Sequence, residues 1–475
     1  MTVKELQKKS GRILSLLKES LTTKERDYTR LGLKKAVFML AIPTILEMSM
    51  ESLFAFFDIL FVGQIDQEDG AAVAAVGLTE QMMFVLYSIG FGIAIAATAL
   101  ISRRIGEKNK HAAGDAAVQA IWLMLVISVV IGVIGFLYAP EMLGLMNATE
   151  SVIQEGAGYT RILFGFNISV MLIFLINGIF RGGGDATIAM RTLILANSLN
   201  IILDPLLIFG LPFLGWNGFG VEGAAMATTI GRSVGVIYQI RMLRAGKANL
   251  IITRANLKVH ISTIRSILKI SVGSIGQFLV ESASWIFIGR LIADFGTLSA
   301  AGFTLALRVV ITTILPFFGL ATASATLVGQ NLGAMQPQQA EKSAWFAANL
   351  SAACMATLSI AYFIFAPQII YFLSPDPEVV ILGAKYLRVI CIGYLFFAYG
   401  MVLSQSLNGA GDTITPTWLN IVSFWMVQIP LGYLLAKYFN LGAIGAVWAI
   451  TVAFSLHALL SMWIFKRGKW KLKEV

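Results

Sequence analysis

Twelve stretches of this chain stay apolar over the ~20 residues that an α-helix needs to cross a bilayer. They lie near 36–62, 71–101, 114–138, 158–180, 188–210, 220–243, 262–293, 298–329, 341–365, 383–407, 416–438 and 443–465. Composition agrees with spans. The chain is 57% apolar and 13% charged, with a mean hydropathy of +0.78, where a soluble domain carries about 25% charged residues. The expectation is an all-α polytopic membrane protein with twelve transmembrane helices.

The ends and loops set the orientation. Residues 1–35 are basic, and Ile13, Leu14, Leu17 and Leu21 recur at helical spacing. That pattern suits an amphipathic helix on an anionic inner leaflet or a frayed tail. The first apolar run begins near Ala36, too late and too long for a cleavable signal, so the first helix does the targeting. Ten Lys/Arg precede Ala36, seven lie in 241–269 and five in the C-tail, while the opposite loops hold only Lys437. Asp66, Glu68 and Asp69 fall on that opposite side. Positive charge marks the inside, so both termini are placed in the cytoplasm of a cell with this protein in its plasma (inner) membrane. The net charge of +10 sits in a few loops and does not argue for nucleic acid. Cys354 and Cys391 are isolated in apolar segments and read as packing residues. The three histidines are far apart, so no metal cluster is expected. No GxxxxGK[ST] stretch is present; uphill transport would draw on an ion gradient unless a partner supplied ATP.

The chain repeats itself. Gly106 and Gly333, Pro140 and Pro367, and Asp185 and Asp412 each stand 227 residues apart, as do GAGYTR and GAKYLR. Glu51-Ser52 matches Glu281-Ser282 at 230, and FGVEGAA matches LGAIGAV at 222. Four unrelated landmarks at one offset mark an internal duplication. Each unit has six spans, so both insert the same way up, as parallel repeats about an axis along the membrane normal. The resulting divisions are a basic segment (1–35), a first lobe (36–243), a linker (244–261), a second lobe (262–465) and a C-tail (466–475).

Polar residues inside the spans carry the functional reading. Glu47, Glu51 and Asp58 fall within about 40° of one another on helix 1. Three acids on one stripe cannot face lipid: they line a cavity, hold protons, or pair with buried Arg or amide groups. Pro43, one turn earlier, is placed to kink the helix. Asn197, Asn200 and Asp204 share a face of helix 5 just before Pro205, and serve either a functional site or helix-to-helix polar contact. Helix 7 carries Gln277, Glu281 and Arg290, but Ile288 stands where helix 1 has Asp58. The first lobe is thus the one rich in acids. Arg232 and Arg308 are further buried-charge candidates that neutralise acids or bind substrate.

These residues resemble the multidrug and toxic compound extrusion (MATE) transporters, DinF-like and NorM-like, over about 34–465. The likeness is carried by FFDILFVG, the paired GGGD and GAGD turns, NIILDPLLIFG and GVEGAAMATTIG. The resemblance implies two six-helix bundles forming a V, with a cavity open to one side at a time. It also implies export of organic cations and amphipathic compounds in exchange for Na+ or H+, with no other cofactor. By motif, Asp58, Asn177, Asn200, Asp204 and Thr228 look like the cation-coupling set, Pro43 like the helix 1 hinge, and Glu281 like the helix 7 acid of NorM-like members. The helix 10 acid of those members is absent from YGMVLSQSLNGAGD, which favours a DinF-like first-lobe mechanism. Glu47 and Glu51 lie outside the motif and stay candidates for proton or substrate binding. Two other functions compete: a flippase for lipid-linked saccharides, which needs several cavity arginines, and a membrane enzyme, for which the spans offer no His/Asp cluster or Ser/His pair. Expected partners are small organic cations and the lipid bilayer, and a monomer suffices for the fold.

Overall fold

The computed structural model describes residues 15–22, 27–65, 70–211 and 215–474. Ile13 and Leu14 of the amphipathic stretch, and Asp66, Glu68 and Asp69, lie outside them. Among the described residues twelve long helices, two of them bent pairs, follow one another: α1 (Leu33–Val62), α2 (Ala71–Gly106), α3 (Lys110–Leu137), α4 (Glu150–Gly165 with Ile168–Gly183), α5 (Ala186–Phe209), α6 (Val221–Arg244), α7 (Ile261–Ala293), α8 (Thr297–Gly333), α9 (Pro337–Leu373), α10 (Pro377–Ile392 with Tyr394–Gly409), α11 (Ile414–Tyr438) and α12 (Ala443–Lys466). Among the described residues eight single helices are long and apolar enough to cross a membrane, and ten spans qualify if each bent pair counts as one. α4 bends by 40° and α10 by 53°. Their breaks, at Phe166 and Gly393, stand at the same 227-residue offset as the other landmarks. The duplication therefore preserved a bend that hydropathy alone does not reveal.

Local chemistry sets the joints. α4 ends on Gly184, whose φ of 92° suits a residue without a β-carbon. Asp185 then caps α5 by accepting from the Thr187 amide at 3.1 Å. The RGGGD turn thus reverses the chain in two residues. In α11 the coil widens to π geometry over Ile421–Gln428, ahead of Pro430, which has no amide hydrogen to offer the Met426 carbonyl. α1 runs unbroken through Pro43.

The two bundles exchange their leading helices. The first turns of α1, Ala36 to Ala41, pack in the apolar core of the second bundle, while Ile267 and Ile270 of α7 pack in the core of the first. α1 also rides on α8: a β-carbon at Gly319 would stand 2.4 Å from the Thr44 carbonyl oxygen. α7 rides on α2 in the same way, at Gly92 against Ile275. At the end that carries both termini, α2 and α8 cross backbone to backbone. A β-carbon at Gly106 would stand 2.1 Å from the Gln330 carbonyl oxygen, and one at Gly333 would stand 2.0 Å from that of Arg103. Only glycine allows this approach. The Gln330 side chain donates to the Gly182 carbonyl at 3.1 Å, which ties α8 to α4 across the seam.

Both chain ends brace this closed face. The Tyr28 hydroxyl donates to the Gly184 carbonyl at 2.9 Å, and Thr187 and Arg191 donate to the Ser20 and Leu21 carbonyls. On the other side Trp470 is buried and stacks on Phe465. Lys471 pairs with Glu341, Lys473 with Asp412, and Arg103 of α2 donates to the Lys473 carbonyl.

Candidate coupling and substrate site

α1, α4, α5 and α6 meet in the first bundle, and their buried polar residues separate into three groups at different depths. Nearest the terminal face, Glu47 is fully buried and pairs with Arg181 of α4 at 2.5 Å. Asn177, one turn earlier on α4, donates to the same carboxylate oxygen at 3.0 Å and accepts from Gln239 of α6 at 2.6 Å. One turn along α1, Glu51 takes both nitrogens of Arg232 from α6, at 2.6 and 3.1 Å, and accepts from Asn197 of α5 at 3.2 Å. The Arg232 guanidinium also lies over the Phe54 and Phe174 rings, 4.9 and 5.6 Å from their centroids. A bidentate Arg–carboxylate pair between aromatic faces is the arrangement in which a buried guanidinium is best satisfied. Of the readings open for the α1 acids, pairing with buried Arg and amide groups describes Glu47 and Glu51.

The third group lacks a cation. Asp204 is fully buried and accepts from Asn200 at 3.1 Å, and Asn200 also donates to the Thr228 hydroxyl at 3.2 Å. Asp204 Oδ2 and Asn200 Oδ1 have no donor. Asp58 is buried, has no hydrogen-bond or ion-pair partner among the described residues, and lies within electrostatic range of Asp204. So Asp58, Asn200, Asp204 and Thr228 gather, whereas Asn177, expected with them, stands in the Glu47 group. Buried acceptors left open are costly unless something fills them. Two carboxylates, an amide oxygen and a hydroxyl form an all-oxygen set that suits a hard monovalent cation or shared protons. Among the described residues no group of three or more His, Cys, Asp or Glu is arranged to hold a metal ion.

The second bundle repeats the scaffold without the charges. Gln277 and Asn408, at the positions equivalent to Glu47 and Arg181, exchange amide hydrogen bonds at 2.9 and 3.0 Å. Glu281, equivalent to Glu51, keeps its acid but loses its arginine. The position of Arg232 is Phe454, whose ring packs on Trp285, one turn beyond Glu281. The Glu281 carboxylate has no hydrogen-bond or ion-pair partner among the described residues. Around it the interior is aromatic, with Phe424 stacked on His457 and Phe397 tilted against Phe454.

Several participants escaped sequence reasoning. Arg181, which stands directly before the GGGD turn, is a buried ion-pair partner. Gln239 lies seven residues after Arg232, on its side of α6. Glu80 is the single acid inside the 71–101 segment, and that isolation was the available signal. It lies within electrostatic range of Asp58 and of Arg308. Between the bundles, Thr98 and Arg181 face Thr322 and Gln405 around a small cavity at the base of the cleft.

The comparisons agree with this architecture. The MatE family model matches residues 43–206 and 270–434, once in each repeat. A relative from Thermotoga maritima named "Probable multidrug resistance protein NorM" is 25% identical over 93% of this chain and 94% of its own length. "Multidrug export protein MepA" of Staphylococcus haemolyticus is 23% identical over 90% and 92%. Among solved structures, the "outward-facing conformation of a multidrug resistance MATE family transporter of the MOP superfamily" superposes with a TM-score of 0.88 at 26% identity, covering 95% of this chain and 100% of that one. A Pyrococcus furiosus transporter, described by the "reverse polarity" of its binding pocket, superposes equally well. Structures of the same fold exist in a straight and a bent conformation, as alternating access requires. With the family model covering both repeats and the fold matched end to end, this chain belongs to the MatE family, whose members are transporters and not enzymes.

Proposed function

We propose that this chain is a multidrug efflux antiporter that exports organic cations and amphipathic compounds in exchange for Na+ or H+. One observation carries the coupling site: in a bundle where Glu47 and Glu51 each have an arginine, Asp58 and Asp204 have none among the described residues, and acceptor atoms beside them stay open. A coupling ion supplies the missing positive charge. The closed end, at Gly106 and Gly333, is the cytoplasmic one in this reading, as the loop charges favour, and both termini brace it from inside the inner membrane. Ion entry from outside favours the substrate-releasing state, because an ion that binds two states unequally shifts the balance between them. Pro43 supplies the flexible point of α1. A lipid-linked saccharide flippase is less well supported, since Arg181 and Arg232 are bound to acids and leave Arg308 and Arg290 to hold a diphosphate.

The test is efflux of an organic cation dye from proteoliposomes under an imposed Na+ or pH gradient. One gradient is expected to drive efflux, and Asp58→Asn and Asp204→Asn each to abolish it. Efflux that persists in both variants would place the coupling site elsewhere.

A further inference from the structure

The cleft between the bundles carries one acid and one base that the coupling site does not use. Glu80 on α2 and Arg308 on α8 are both exposed. They sit on helices related by the repeat, 26 residues before Gly106 and 25 before Gly333. At 1.5 Å per residue both stand roughly 38 Å from the glycine crossing, at one level. Both lie near α1, Glu80 within electrostatic range of Asp58 and Arg308 one turn before Thr312. Glu80 shares its face with Tyr87, whose ring meets Phe174 at 6.1 Å, beside the Arg232 guanidinium. Arg308 shares its face with Thr312, whose backbone carbonyl accepts from Ser52 of α1. Each lies within electrostatic range of the other, yet no ion pair joins them among the described residues. Below them, Phe91, Phe278 and Phe318 form an aromatic floor with centroid distances of 5.6 and 6.4 Å, and both bundles contribute to it.

An exposed carboxylate facing an exposed guanidinium across a gap, above an aromatic floor, is complementary to a flat molecule that carries both charges. We propose that Glu80 and Arg308 form a bipolar subsite that takes amphoteric aromatic substrates, Glu80 receiving the cationic group and Arg308 the anionic one. This deepens the efflux reading and rests on it. Arg308 is suited to the anionic end because its planar fork matches a carboxylate, and because the buried arginines of the first bundle, Arg181 and Arg232, are already bound to acids. Two solvated charges that bind no ligand would give no difference between substrates that differ only in an anionic group.

Rhodamine 6G, a cationic ester, and rhodamine 19, its zwitterionic free acid, differ in that group alone. Their binding to the purified full-length protein, read by fluorescence polarisation without any gradient, tests the proposal. Arg308→Gln is expected to weaken rhodamine 19 about tenfold more than rhodamine 6G, Arg308→Lys to keep most of the preference, and Glu80→Gln to weaken both dyes. Equal effects of Arg308→Gln on the two dyes, or wild-type protein that holds neither, would overturn it. If the dyes are discriminated but neither gradient drives efflux, the subsite stands and the antiport reading falls.

Discussion

Glu47 and Glu51 stand one helical turn apart, and each has its own guanidinium. Breaking such a buried pair leaves an uncompensated charge and costs about 3–5 kcal/mol. Glu47→Gln is therefore expected to lower the thermal unfolding midpoint in detergent clearly, by stranding Arg181. The double variant Glu47→Leu with Arg181→Met should recover most of the loss. Asp58→Asn is expected to leave the midpoint unchanged or raise it, because no protein side chain among the described residues is ion-paired with that carboxylate. If Glu47→Gln and Asp58→Asn behaved alike, the division between paired and open acids would be wrong. Helical angles made the acidic stripe legible in the sequence, but not the partners. Arg181 and Arg232 come from α4 and α6, 134 and 181 residues away from their acids, and only packing brings them in. Open atoms on Asp204 and Asn200 are likewise visible only once neighbouring helices are in place.

Among the elements, the glycine crossing of α2 and α8 is the contact that must part if the terminal face opens. Gly333→Leu cannot keep it, since its β-carbon would meet the Arg103 carbonyl oxygen at 2.0 Å. The expected outcome is a terminal face held apart. It can be read as at least a tenfold faster maleimide labelling of a cysteine placed at Ser102, a buried position, in a Cys354→Ala background. Unchanged labelling would show that the helices slide past the side chain. All twelve spans were legible from hydropathy, because a bilayer leaves little choice for an apolar run of that length. The extension of α4 back to Glu150 was not, since its first turns are polar and carry Glu150 and Glu155, nor was that of α10 back to Pro377, which opens on Pro377 and Glu378. The bends were invisible for a different reason: no proline marks them, and tertiary contacts decide where the chain turns. The exchange of leading helices between bundles also leaves no local trace, because an apolar face does not record which neighbour it meets.

For the molecule as a whole, the C-tail matters because it touches both bundles: Lys471 and Lys473 hold α9 and the turn after α10, while the Lys473 carbonyl receives Arg103 of α2. Deleting residues 469–475 removes this strap together with buried Trp470. The shortened protein is expected to populate the state open at the terminal face more often, seen as a longer mean distance between spin labels on the terminal ends of α2 and α8. An unchanged distance distribution would make the tail an ornament of the closed state. The Glu51–Arg232 pair has a consequence of another kind, for biosynthesis. Glu51 leaves the ribosome 181 residues before its arginine. At about 5–20 residues per second the acid waits roughly 10–35 s for it. During that interval α1 carries acids whose insertion costs are uncompensated, and α6 arrives with a charge that disfavours its own entry. The first bundle can therefore assemble stably only when the translocon keeps α1 within reach of α6, so the pair that steadies the finished protein also dictates the order in which its helices commit to the lipid.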